Sequence, residues 1–325
     1  MCSEFDIIRR YFKRPASGAV LGIGDDAALI TASAKTELAI STDTLVCGKH
    51  FFADVDPYTL GYKSLAVNLS DMAAMGAKPR WALLALTLPD ELVKQNTTWL
   101  NEFSQGFFAL ADVHDVGLIG GDTTAGPLNI GVQIVGEVAK GKALRRSGAQ
   151  LGDDIWVSGR LGDAALALNH ELQRITLESH EIAQCLPALL TPAARVELGQ
   201  RLIGLAHSAI DISDGLMADL GHILESSEKA ACINIIHIPS SPTLKKYLSQ
   251  SLAINCLLAG GDDYELCFTA PQINRGKIEA LAAELTIPLT RIGEIVSGAG
   301  LIVKDAQGNI MTLETQGYDH FSACA

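Results

Sequence analysis

The segment from Asp56 to Pro79, D-P-Y-T-L-G-Y-K-S-L-A-V-N-L-S-D-M-A-A-M-G-A-K-P, carries the clearest secondary-structure signals of the chain. Asp56 is a suitable N-cap before Pro57 at the first helical position, and Gly76 ends the segment, so a helix is predicted between them. Its apolar side is formed by Leu65, Leu69, Met72 and Gly76, and its polar side by Ser64, Asn68 and Asp71. The polar side is either a solvated surface or part of a functional site.

Six aspartates lie within two residues of Gly, Ser or Thr, in both halves of the chain. They are Asp26 in G-I-G-D-D, Asp43 in S-T-D-T, Asp71 in N-L-S-D, Asp122 in G-G-D-T-T, and Asp211 and Asp214 in D-I-S-D-G. If the fold brings them together, neighbouring carboxylates repel by about 4 kcal/mol at 4 Å and must be neutralised. Oxygen-rich sites suit Mg²⁺, which binds carboxylates together with substrate phosphates. We therefore expect a Mg-nucleotide phosphotransfer site.

Small and polar residues around these aspartates fit the same chemistry. Gly24, Gly121 and Gly215 let the backbone approach an anion, while Ser41, Thr42 and Ser213 offer oxygen ligands. Each of these turns is also explained by ordinary turn chemistry, and only their number favours a site. Arg146 either contacts a phosphate or is a surface arginine. His50 either contacts a ligand or is a buried structural histidine.

Several classes of protein are disfavoured by the sequence. A net charge of -12 without a basic stripe argues against nucleic acid. No G-x-x-x-x-G-K-[ST] loop, protein-kinase motif, zinc spacing or Ser-His-Asp signature occurs. The seven cysteines form no C-x-x-C pair. Because residues 1–14 lack an apolar core and no later run approaches a membrane span, we expect a cytoplasmic protein without membrane contact.

Two domains are expected from length and pattern, with the seam in the glycine-rich stretch 141–152. The predicted boundaries are 1–140 and 141–325. The first part is predicted to hold a helix at 3–12, strands at 38–43, 81–88, 116–119 and 129–138, and a helix at 90–111. The second is predicted to hold strands at 155–159, 233–238 and 265–269, and helices at 162–171, 193–205, from 214, and at 274–285. Strands and helices in both halves predict α+β or α/β domains.

The motifs taken together resemble a known family over essentially the full chain. They are G-I-G-D-D-A-A-L, A-I-S-T-D-T-L-V, Y-K-S-L-A-V-N-L-S-D-M-A-A-M-G-A, L-I-G-G-D-T-T, A-I-D-I-S-D-G-L, G-G-D-D-Y-E-L and the terminal G-Y-D-H-F. This set is similar to that of the thiamine-monophosphate kinases. The resemblance implies a two-domain α+β fold of the aminoimidazole ribonucleotide synthetase type, with N-terminal strands pairing in a homodimer barrel and an α/β C-terminal domain.

The resemblance also implies a reaction, the ATP-dependent phosphorylation of thiamine monophosphate to thiamine diphosphate with several Mg²⁺ ions, the last step of thiamine diphosphate biosynthesis. The implied metal ligands are Asp26, Ser41, Thr42, Asp43, Asp71, Asp122, Asp211 and Asp214. The implied ATP contacts are Gly121, Asp122, Arg146 and Ser213, and the implied substrate contacts are His50, Asp262 and Tyr318. The family usually has Glu where this chain has Asp262, so that carboxylate is one methylene shorter.

No catalytic side-chain base is expected, because the attacking group would be a phosphate oxygen that is already ionised near neutral pH. Positioning and charge neutralisation would carry the transfer. Two alternatives stay open at this point. The chain could be another enzyme of the same structural group, such as a purine-pathway ligase or a selenophosphate synthetase, or a noncatalytic Mg-nucleotide-binding protein of a maturation complex.

Overall fold

The computed structural model describes residues 4–95 and 97–311. The chain divides into two units, Met1–Met72 with Ala77–Gly141, and Ala73–Gly76 with Lys142–Ala325. Each unit contains both strands and helices, and the predicted mixed fold class is confirmed.

The first unit is built on a four-stranded sheet of order β3-β6-β4-β5, in which only β4 and β5 are parallel. Its elements are α1 (Glu4–Ile7) followed by a π-helical turn (Ile8–Phe12), β1 (Ala19–Leu21), β2 (Leu29–Ile30), β3 (Thr36–Val46), α2 (Pro57–Ala74), β4 (Lys78–Leu88), α3 (Asp90–Gln95), α4 (Thr97–His114), β5 (Gly117–Ala125) and β6 (Asn129–Ala139).

Helix α2 has the predicted start. The Thr59 N–H donates to Asp56 Oδ1 at 2.9 Å, which is an N-cap bond. The helix packs closely against α4 through two glycines. A Cβ at Gly61 would overlap the carbonyl oxygen of Phe103, and a Cβ at Gly106 would overlap that of Tyr58. The two backbones therefore approach more closely than any side chain would allow, and this contact fixes α2 in the unit.

Three predicted elements of the first unit differ in the structure. The predicted helix 90–111 is two helices, α3 and α4. Strand β3 runs through Asp43 to Val46, because every residue of it pairs with β6. Strand β5 does not end before Gly120 but continues through Asp122 to Ala125, since these residues pair with β4. The G-G-D sequence is therefore strand and not turn.

The second unit is built on a six-stranded sheet of order β12-β9-β11-β7-β10-β8, in which β9 and β12 are parallel. Its elements are β7 (Asp154–Ser158), α5 (Asp163–Glu171), α6 (Ser179–Leu190), α7 (Val196–Leu202), β8 (Ser208–Asp211), α8 (Leu216–Ser227), β9 (Ala230–Asn234), α9 (Pro242–Tyr247), α10 (Ser251–Ala259), β10 (Leu266–Ala270), α11 (Arg275–Leu285), β11 (Leu289–Val296) and β12 (Gly300–Lys304).

The core of the second unit joins the sheet to α5, α8 and α10. Among its fully buried side chains are Val157 of β7, Leu166 of α5, Leu220 of α8 and Leu257 of α10. The predicted strand 233–238 has the wrong bounds. The strand is β9, Ala230–Asn234, and a 3₁₀ turn follows it at Ile235–His237. No helix within the described ranges is long and apolar enough to cross a membrane.

The glycine contact between α2 and α4 gives a stability prediction. We expect Gly106→Ala to lower the free energy of unfolding by about 3 kcal/mol or more, because the added methyl group meets backbone. Gly221→Ala is the control, since Gly221 is a glycine inside α8 where an added Cβ would have no neighbouring atom within 4 Å. That change is expected to stabilise by about 0.5–1 kcal/mol through helix propensity. Denaturant unfolding checks both, and equal effects of the two changes would contradict the packing argument.

An acid-dependent contribution to stability is predicted at Glu181 of α6. Its carboxylate accepts bonds from Lys246 Nζ (2.7 Å), the Glu178 N–H (3.0 Å) and the Tyr247 hydroxyl (2.7 Å). These bonds lower the pKa of Glu181 from 4.5 to about 2. The stabilisation is therefore present above pH 4.5 and is lost as the pH falls toward 2. We expect the melting-temperature difference between wild type and Glu181→Gln to shrink over this interval, and a constant difference would contradict the assignment.

Candidate functional site

The polar side of α2 meets β3. Ser41 Oγ donates to Asp71 Oδ2 at 2.5 Å. Because side chains alternate along a strand, Asp43 lies on the same face of β3 as Ser41. Ser41, Asp43 and Asp71 therefore form one group on the helix-covered side of the sheet, which we call the helix-side group. Of the two alternatives for the polar side of α2, a solvated surface does not apply to Ser64 and Asn68, which are fully buried.

Asn68 lies one turn before Asp71 and is part of the same stripe. Its Nδ2 donates to the Ser64 carbonyl at 3.1 Å, and the Ser64 hydroxyl donates to the Gly61 carbonyl at 2.8 Å. The Oδ1 of Asn68 is buried and accepts no hydrogen bond from any described residue. Leaving such an acceptor unsatisfied costs about 1–3 kcal/mol, so this interior is more polar than stability alone requires.

An open cleft of about 1260 Å³ lies over the other face of the sheet. A row of register partners crosses its floor, formed by Thr44, Gly131, Ala85 and Asp122. Thr42 and Asp26 also line the cleft. Asp26, Thr42 and Asp122 thus form a second group, the cleft-side group. Small residues at Gly131 and Ala85 keep the middle of the floor open.

Gly121 sets the position of Asp122. Its φ of 145° is one that L side chains rarely adopt, and a Cβ there would overlap the backbone of Leu84. Only glycine lets β5 approach β4 at this point. The exposed Asp122 side chain then stands beside Ala85 on the cleft side.

The D-I-S-D-G loop of the second unit is organised by an aspartate that the sequence reasoning missed. Asp219, in the first turn of α8, accepts the N–H groups of Asp214 (3.0 Å) and Gly215 (3.1 Å) on its Oδ2. Burial and the neighbouring Asp211 and Asp214 raise the pKa of Asp219 to about 8. The sequence carries no capping-box signal for this role, because Asp219 is the fourth residue of α8 and the capping-box residue is the third.

The remaining predicted contacts have mixed placements. His50 Nδ1 accepts the Val46 N–H at 3.0 Å, so in the neutral ring the proton is on Nε2. The Arg146 side chain is exposed, and the backbone carbonyl of Arg146 accepts a hydrogen bond from the Ser227 hydroxyl at 3.3 Å. Asp262 donates its N–H to the Ser213 carbonyl at 2.9 Å, so these two predicted contacts lie on touching loops. Tyr318 lies outside the described residues.

The predicted metal ligands thus fall into separate sets. The first unit contains the helix-side and cleft-side groups on opposite faces of its sheet, and the second unit contains Asp211 and Asp214. Within residues 4–95 and 97–311 no group of three or more His, Cys, Asp or Glu side chains is arranged to hold a metal ion. The ligand set therefore stays a prediction. Carboxylate and hydroxyl oxygens are nevertheless the donors that Mg²⁺ prefers.

The first unit defines the class of protein. The sequence model described as AIR synthase related protein, N-terminal domain, matches residues 24–138, which include β3, α2 and the Asp122 strand. A thiamine-monophosphate kinase of Escherichia coli (strain K12) is 46% identical over 325 residues, with 99% of each chain covered. The chain belongs to the thiamine-monophosphate kinase family.

Solved structures agree with this family assignment. The crystal structure of a thiamine-monophosphate kinase from Stenotrophomonas maltophilia K279a has a TM-score of 0.84 and 48% identity, and the match covers 94% of this chain and 95% of that one. A structure of AaThiL complexed with AMPPCP and TMP has a TM-score of 0.78 and 31% identity, with 92% of each chain covered.

Proposed function

We propose that this protein transfers the γ-phosphoryl group of ATP to the phosphate of thiamine monophosphate and so forms thiamine diphosphate and ADP. The observation that carries this proposal is the family match, which runs through both units at 46% identity. The relative AaThiL binds AMPPCP and TMP together. We also propose a cytoplasmic location, where ATP is abundant.

The reaction requires positioning rather than a side-chain base. An ionised oxygen of the monophosphate attacks the γ-phosphorus, a new P–O bond forms, and the bond from the γ-phosphorus to the β,γ-bridging oxygen breaks as ADP leaves. No proton has to be removed from the nucleophile. In this proposal Gly121, Asp122, Arg146 and Ser213 contact the nucleotide. The glycine keeps the backbone accessible, and the exposed guanidinium offers a bidentate donor to phosphate oxygens.

We propose that several Mg²⁺ ions are required, held separately by the helix-side group of Ser41, Asp43 and Asp71, by the cleft-side group of Asp26, Thr42 and Asp122, and by Asp211 and Asp214 of the second unit. The hard-oxygen chemistry of this set and the buried, unsatisfied Asn68 Oδ1 support it. When bound, Mg²⁺ would neutralise phosphate charge and orient the polyphosphate.

Substrate contacts are proposed at His50, Asp262 and Tyr318. The tautomer of His50 leaves its proton on Nε2, which is a donor suited to a phosphate oxygen. The carboxylate of Asp262 is suited to the cationic thiamine moiety.

The assay of this function uses ATP, Mg²⁺ and thiamine monophosphate. We expect thiamine diphosphate to form, and none after chelation of Mg²⁺.

Asp122→Asn and Asp43→Asn are each expected to lower kcat by about a hundredfold or more, since each removes a charge from the site. The melting temperature of Asp122→Asn in metal-free buffer should stay close to that of wild type, because the Asp122 side chain is exposed.

Asp112→Asn is the matched control, because Asp112 is an exposed aspartate of α4 whose pair with Arg14 is long, at 3.4 Å. It should leave kcat within about twofold, as expected for a surface pair. No diphosphate from the wild-type protein would refute the function. Full activity of Asp122→Asn would refute its assigned role.

We propose that the protein is a homodimer that pairs through strands of the four-stranded sheet, with β3 as the available edge strand. The support is apolar exposure on this edge strand, where the Ile40 side chain is 63% exposed. Exposed apolar residues on an edge strand commonly mark a pairing surface.

Ile40→Lys is expected to shift the protein from dimer to monomer in sedimentation velocity, since it places a charge in the proposed interface. Ile273→Lys is the control, because Ile273 is equally apolar and 88% exposed but lies in the second unit. A monomeric wild-type protein, or a dimer unaffected by Ile40→Lys, would contradict this interface.

A further inference from the structure

The loop before β10 contains two non-glycine residues in the left-handed region. Asp262 has a φ of 71° and Tyr264 has a φ of 48°. Side chains other than Gly, Asn and Asp rarely adopt this conformation, and a tyrosine there is an outlier. Such a conformation persists only where the surrounding contacts enforce it, and it is concentrated at functional sites.

Three contacts enforce the conformation of this loop. The Asp262 N–H donates to the Ser213 carbonyl at 2.9 Å, and the Tyr264 N–H donates to the Ile212 carbonyl at 2.8 Å. Between them, the buried carboxylate of Asp263 accepts the Gly162 N–H at 3.0 and 2.9 Å, at the start of α5. The loop is therefore fixed to the D-I-S-D-G loop on one side and to α5 on the other.

The approach of the two loops leaves no room for adjustment. A Cβ at Gly261 would lie 2.5 Å from the Ser213 carbonyl oxygen, and a Cβ at Gly215 would lie 2.6 Å from the Ala259 carbonyl carbon. Backbone is a rigid neighbour at both points. The same backbone contacts therefore fix the positions of both the Asp262 Cα and Ser213.

The side chain of Asp262 is fixed as well. The Tyr264 hydroxyl donates to Asp262 Oδ1 at 3.1 Å. Both side chains are half-buried, while Asp263 between them is buried. A carboxylate has about four acceptor positions, so the bond from Tyr264 is compatible with the binding of a ligand by the same group.

We propose that Tyr264 is a positioning residue, which holds the Asp262 carboxylate in the orientation that receives the cationic thiamine moiety. This inference rests on the proposed function. The neighbouring hydroxyl holds this carboxylate at a defined place.

The first test is the kinetics of Tyr264→Phe, which removes only the hydroxyl. We expect the KM for thiamine monophosphate to rise roughly fivefold to tenfold, which is the upper part of the usual range for the loss of one hydrogen bond. The KM for ATP and kcat should stay within about twofold, because the loss of a contact made equally in the ground state and the transition state raises KM alone. The matched control is Tyr247→Phe, which loses a comparable hydroxyl bond to Glu181 at 2.7 Å and should leave both KM values unchanged.

The second test is a double-mutant cycle with Asp262→Ala. If Tyr264 acts through Asp262, then Tyr264→Phe has no further effect on KM once the carboxylate is absent. The strain of an alanine at this φ is present in both variants of that background and cancels in the comparison. Melting temperatures of all variants identify any that fail to fold, and the Phe variant retains the ring and its packing.

The outcomes separate this inference from the proposed function. Normal wild-type turnover with an unchanged KM in Tyr264→Phe would overturn the positioning role and leave the function standing. An equal KM increase in both backgrounds would also overturn it, because the hydroxyl would then act elsewhere. Absence of turnover by the wild-type protein would overturn the function and this inference together.

Discussion

Backbone contact between α2 and α4 is the constraint on which the first unit depends. Gly61 and Gly106 bring each helix against the carbonyls of the other, and this fixes the point where α2 crosses α4. The polar side of α2 then meets β3, where Ser41 donates to Asp71. A packing requirement between two helices thus decides where a carboxylate of the candidate site stands.

Strand alternation decides how the other carboxylates are distributed. Asp43 and Thr42 are neighbours in sequence, but the alternation of β3 directs one toward the helices and the other toward the cleft. In the second unit, hydrogen bonds support both predicted loops. The Asp219 carboxylate accepts the Asp214 N–H, and the Ser213 carbonyl accepts the Asp262 N–H.

Local signals predicted the elements that are locally determined. Helix α2 was predictable because Asp56, Pro57 and Gly76 mark its ends, and β6 because its apolar residues alternate. Strand β5 was misjudged at Gly120 and Gly121, since glycines usually mark turns, whereas here the second one permits a close approach to Leu84. Helix α10 shows no helical repeat of apolar and polar residues, because it is apolar nearly all round. The role of Asp219 depends on burial that no local pattern encodes.

The glycine before Asp122 also bears on how such sequences are interpreted. It is required by the fit of one strand against another, whether or not an anion ever binds beside it. A descendant of this chain that had lost all chemistry would still have to keep that glycine in order to fold. Retention of Gly121 therefore indicates an intact scaffold. Retention of Asp122 is the better marker of a working enzyme.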